Sequence, residues 1–123
     1  DAYYNGLQEI EAEWSQIYNS KKYVGATADK YEDKCLKNIS LYKIMSKKEM
    51  EYGGTPPQNV PGYKRLAMLY ERQGLYEKSI IVHDVFKDEL VDLLAKSGSE
   101  DKFLKRFESY IRQITNSKRA HTD

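Results

Sequence analysis

The chain has 123 residues, and 20 Lys and Arg against 19 Asp and Glu leave a net charge of +1, a balance that excludes a surface built wholesale for a polyanion. At 40% hydrophobic and 32% charged, with three prolines, it suits one soluble domain of amphipathic helices rather than a β fold. No apolar run approaches the roughly 18–20 residues that span a bilayer, no secretory signal is visible and the single Cys35 cannot close an internal disulfide, so a cytoplasmic location is expected.

The sequence begins at Asp1 without a methionine and is expected to be a piece of a longer protein. Tyr3, Leu7, Ile10, Trp14 and Ile17 step by three and four, which predicts a single-faced helix with Gln8, Glu9, Glu11, Glu13 and Gln16 on its wet side. Trp14, the one tryptophan, is the expected anchor of this helix. Asn19-Ser20 reads as a break. Val24, Ala28, Tyr31, Cys35, Ile39, Tyr42 and Met45 then form a second, longer stripe that reaches about Glu49. Gly53-Gly54 and Pro56-Pro57 stop it and turn the chain.

The third run carries Tyr63, Leu66, Ala67 and Tyr70, with Pro61 in its first turn, where a missing N–H costs nothing. Gln73-Gly74 ends it, and Tyr76, Ser79, Val82, Phe86, Leu90 and Leu93 mark the next helix, reaching about Lys96. So short a connection forces these two helices to lie antiparallel. Ser97-Gly98-Ser99 is a further break; Ser99 suits an N-cap, with Glu100 and Asp101 in the first turn after it. Phe103, Phe107, Tyr110 or Ile111, and Ile114 make the last amphipathic helix, and the polar chain beyond Asn116 is expected to fray. The predicted organisation is thus one all-α domain over 1–123, with helix pairs near 2–50 and 60–96, a capping helix near 99–116 and a tail over 117–123.

The third and fourth helices resemble a tetratricopeptide repeat. Tyr63, Leu66, Ala67 and Tyr70 fill the slots of its Trp-x2-Leu-Gly-x2-Tyr helix, Ser79 and His83 those of its Ala-x3-Phe helix, and Pro57 falls where a preceding repeat would end. Val91 stands in the terminal Pro slot. The first pair resembles a stretched relative: Ile17-Tyr18-Asn19-Ser20-Lys21-Lys22-Tyr23-x2-Ala26 parallels Tyr70-Glu71-Arg72-Gln73-Gly74-Leu75-Tyr76-x2-Ser79, and small Ala26 and Ser79 are expected to let paired helices approach. The resemblance implies antiparallel helix pairs stacked as a short array with a capping helix; a closed five-helix bundle is the alternative.

No Cys/His set has zinc spacing, and no phosphate loop or nucleophile motif is present, so no enzyme activity, cofactor or metal is expected. Cys35 lies on an apolar stripe and His83 in a packing slot. The 11 tyrosines suit half-buried seams, and Tyr18 and Tyr70 are candidates to line a groove. In such repeats the ligand-facing surface comes from the first helix of each pair. That implies Lys64, Arg65, Met68, Glu71 and Arg72, with Lys102 and Lys105 as neighbours. Some members hold a peptide's terminal carboxylate with basic residues, chemistry that Lys64, Arg65 and Arg72 share, but Glu11, Ala12 and Ser15 do not complete such a clamp. The expected function is a non-catalytic interaction module that docks a peptide or partner helix in a concave groove. The alternatives are nucleic-acid binding through Lys102, Lys105, Arg106, Arg112, Lys118 and Arg119, or structural self-association; no membrane contact is expected.

Overall fold

A computed structural model describes residues 2–94 and 100–122, and among them every regular element is a helix. These are α1 (Ala2–Asn5), α2 (Leu7–Ser20), α3 (Ala26–Glu51), α4 (Pro61–Arg72), α5 (Tyr76–Leu94) and α6 (Glu100–Thr122). The Ser97-Gly98-Ser99 break and the Ser99 cap lie outside the described residues, as do the side chains of Glu100, Asp101, Lys102 and Phe103. Among the described residues no helix is long and apolar enough to cross a membrane.

The periodic stripes become the core. Tyr3, Ile10, Trp14 and Ile17 are buried, as are Ala28, Tyr31, Cys35, Ile39, Tyr42 and Met45 of α3. Leu7 is half-buried, and Val24 lies before α3 with its side chain in solvent. In the small-residue slot of the first pair, Ala26 is exposed and Ala28 is fully buried. The reason is where α3 starts. Lys21 and Gly74, which end the helices before the two turns, both take left-handed backbone, at φ 58° and 78°. However, α5 starts at Tyr76, directly after Leu75, whereas α3 waits until Ala26, which shifts its register.

Helix α4 is the central element. Pro61 opens it, and the next amide, on Gly62, donates to the buried Asn38 Oδ1 at 2.9 Å, so α3 caps the start of α4. Tyr63, Leu66, Ala67, Leu69 and Tyr70 are all buried, Leu69 being one that the predicted stripe omits. Gly74 ends α4: its amide reaches the Glu71 carbonyl and the Leu75 amide reaches the Tyr70 carbonyl at 2.8 Å, a Schellman closure. The α4–α5 seam is tight because Ser79 Oγ donates to the Ala67 carbonyl at 2.7 Å and Tyr63 stacks on Phe86 with centroids 4.3 Å apart.

Residue pairings fix the directions. Ile17 lies by Thr27 and Glu9 by Lys37, so α2 and α3 are antiparallel; α3–α4 and α5–α6 pair likewise, through Tyr70–Glu32, Asn38–Gly62, Phe86–Phe107 and Glu77–Lys118. By contrast, Glu11–Arg65 and Tyr18–Arg72 run in step, so α2 and α4 are parallel, and Glu71–Ser117 sets α6 beside α4. Thus α2, α4 and α6 form one layer, with α3 and α5 behind it. The tail expected to fray is instead the last part of α6, which continues to Thr122. Ser117 Oγ donates to Glu71 (3.2 Å), Lys118 pairs with Glu77, and His121 lies 5.9 Å from the Tyr76 ring. Polar contacts to α4 and α5, with no apolar stripe to announce them, extend the helix.

Candidate functional site

The two seams of the α2–α4–α6 layer differ. Between α2 and α4 the gap is filled from within. Arg65 makes a fork with Glu11, Nε to Oε1 at 3.0 Å and Nη2 to Oε2 at 2.6 Å, and its guanidinium lies 5.8 Å from the Trp14 ring. The hydrogen-bonded guanidinium holds the Glu11 carboxyl below the usual carboxylate range. Arg65 is therefore a strut inside the domain, apart from the other residues expected to bind a partner.

Between α4 and α6 a groove remains, with a volume of about 220 Å³. Lys64, Met68, Glu71 and Arg72 line its α4 wall, Tyr110, Gln113 and Ile114 its α6 wall, and His83 of α5 contributes from behind. Four of the five expected residues are thus brought together here. Met68 and Tyr110 supply half-exposed apolar surface over the buried Ile114, while Lys64 is exposed. Arg72 lies 5.6 Å from the Tyr18 ring and 5.9 Å from the Tyr23 ring, which holds its guanidinium in place through cation–π contacts. Tyr18 is about half exposed beside it, whereas Tyr70 is buried with its hydroxyl on Glu32. Lys105 is exposed on α6, and the side chain of Lys102 is outside the described residues.

His83 and the α6 residues are the contributors that repeat-slot reasoning misses. His83 is buried, 5.1 Å from the Tyr110 ring and 6.2 Å from that of Phe107, and burial pushes its imidazole down to about 4, so the ring is neutral at pH 7. A Phe slot points to packing; the groove is seen only once α6 is set beside α4. Gln113 carries no periodic signal at all.

A wider depression of about 530 Å³ lies between α1, α2 and α3, lined by Glu9, Lys34, Lys37, Asn38 and Leu41 among others. Within it Lys34 pairs with both Glu9 and Glu13, Asn38 accepts from Gly62, and Lys37 is exposed. Cys35 is fully buried and its thiol is pushed up to about 12, chiefly by burial, so the nucleophilic thiolate is not formed at neutral pH. Among the described residues no three His, Cys, Asp or Glu side chains gather as a metal site would require. Of the basic residues of α6, Arg106 donates to the Gln58 carbonyl at 2.6 Å and Lys118 to Glu77, while Lys105 and Arg112 are exposed.

No protein-family model matches the chain, and searches of curated proteins and of solved structures likewise find none that matches it.

Proposed function

We propose that this is a non-catalytic interaction domain of tetratricopeptide-like build, which docks a peptide or partner helix in the groove between α4 and α6. The observation that carries the reading is the contrast between the two seams of one layer. The Glu11–Arg65 fork closes the first, whereas the second keeps Met68 and Tyr110 half-exposed beside Lys64 and Arg72, with Ile114 buried beneath them. A groove walled by packed helices loses little freedom when occupied, which favours binding. The corresponding turns at Lys21 and Gly74 and the parallel α2, α4 and α6 support the repeat-like build. Nucleic-acid binding by α6 has less support, because Arg106 and Lys118 are spent on contacts within the domain.

The test is selection of peptides from a random library on the immobilised domain, followed by mapping on its amide NMR spectrum. Selected peptides should shift Lys64, Met68, Arg72 and Gln113. Lys64→Glu with Arg72→Glu should weaken them at least tenfold while the helical circular-dichroism signal is kept. Shifts confined to the outer faces of α3 and α5 would overturn the reading.

A further inference from the structure

Four side chains of α5, Lys78, Ile81, Val85 and Asp88, recur at the three–four–three spacing that seams one helix to another. At 100° per residue they fall within about 80° of one another, along about 15 Å of helix. All four are exposed, Ile81 at 58% and Val85 at 46%. This stripe is distinct from the faces that α5 uses inside the domain. Ser79, His83, Phe86 and Leu90 are buried, and Glu77 reaches Lys118 of α6. Leu36 of α3, also exposed, extends the apolar surface. Glu32 and Lys78 both reach Tyr70 and Tyr42 meets Phe86, so Leu36 stands about level with Ile81 in the layer behind α4.

Single exposed apolar side chains are ordinary, but this stripe is self-complementary. Lys78 and Asp88 share one midpoint with Ile81 and Val85, at position 83. A second copy of α5 turned end over end about that point lays Ile81 on the copy's Val85 and Lys78 on the copy's Asp88, each twice. A parallel copy would instead set Lys78 on Lys78 and Asp88 on Asp88. Both ions are available for the antiparallel pairing. Among the described residues neither has an ion-pair partner; Lys78 lies 5.2 Å from the Tyr70 ring and stays exposed. Asp84, at the edge of the stripe, is answered by Lys87 at 3.6 Å. Asp92, the next step along the stripe, falls opposite the copy's Gly74, beyond the end of its α5. The run of Asp84, Asp88 and Asp92 disfavours a nucleic acid or an anionic membrane as the occupant.

We propose that the α5 stripe is a self-recognition surface: two copies of this chain pair through it in a two-fold, antiparallel contact, with Ile81 and Val85 at the centre and a Lys78–Asp88 pair at each end. The contact is small, so the dimer is weak and reversible. His83 faces the α4–α6 groove from the opposite side of α5, so both copies keep that groove open, and the pairing stands or falls apart from it.

The test is sedimentation equilibrium of the chain at concentrations up to about 1 mM, where small interfaces associate. Wild type should pass from monomer to dimer and no further, because a two-fold contact closes on itself. Lys78→Asp sets Asp on Asp at both ends, and Asp88→Lys sets Lys on Lys. Each alone should weaken dimerisation at least tenfold, with the helical circular-dichroism signal unchanged. Mixed one to one, the two variants should form a heterodimer of wild-type affinity, since both ends then pair Asp with Lys. A wild type that stays monomeric at the highest concentration overturns the proposal. So does a dimer that both substitutions leave unweakened, or one that the mixture fails to restore, because either puts the contact elsewhere. Mass growth beyond the dimer overturns it as well.

Discussion

His83 fills a packing slot with a titratable ring, and that choice links stability to pH. Burial pushes its imidazole down to about 4, against a weak opposing pull from Asp84, while Lys64 and Arg106 line a recess beside it. In the unfolded chain the ring titrates near 6.5, so between these values the unfolded state holds a proton that the folded state does not. The packing of the neutral ring therefore counts in full above about pH 6.5 and is lost as pH falls towards 4, for a total of ~3 kcal/mol. Urea unfolding should show wild type losing ~2–3 kcal/mol more than His83→Phe between pH 7 and pH 4.5, the general carboxylate effect being common to both. Parallel pH profiles for the two proteins would mean that the ring is not held neutral in the fold.

Among elements, the entry to α4 is the most constrained. A Cβ on Gly62 would lie 2.4 Å from Asn38 Oδ1 and 2.9 Å from the Cys35 carbonyl oxygen, and the latter is backbone that cannot swing aside. Gly62→Ala must therefore push α3 from α4 and should cost about 1–3 kcal/mol by thermal or urea unfolding. Gly6→Ala, with nothing within 4 Å of the added carbon, is the control and should be neutral or slightly stabilising. Equal effects at the two sites would refute the close approach. The contrast also shows which features a sequence displays. Burial along one face imprints a three-to-four spacing, so the stripes of α2, α3, α4 and α5 could be read directly, as could the Gly74 turn. Gly62 looks like a permissive residue in a first turn, and Asn38 like a polar interruption of a stripe; only their pairing gives them meaning. Lys64 and Arg65 are adjacent and chemically alike, yet about 100° of helical rotation sends one to the open groove and the other to Glu11. The last turns of α6 escaped because Ser117, Lys118 and His121 are held by partners more than forty residues away.

At the scale of the whole molecule, order in the chain is order in space. The long helices pack mainly on their neighbours in sequence, with α2 also reaching α4, while the short α1 rests chiefly on α3. Local packing of this kind makes distant seams close to independent in energy. Ile17 of α2 and Ile114 of α6 are both buried, the first beside Tyr31 of α3 and the second beside Met68 and Tyr110. Ile→Val at either should cost about 0.5–1.5 kcal/mol, small enough to leave the domain folded. Without shared neighbours the double variant should equal the sum of the two singles within about 0.5 kcal/mol by urea unfolding. Coupling beyond that margin would require α2 and α6 to sense one another across α4. The α2–α4 and α4–α6 seams would then be two parts of one cooperative unit, and occupying the groove would be felt at the Glu11–Arg65 strut.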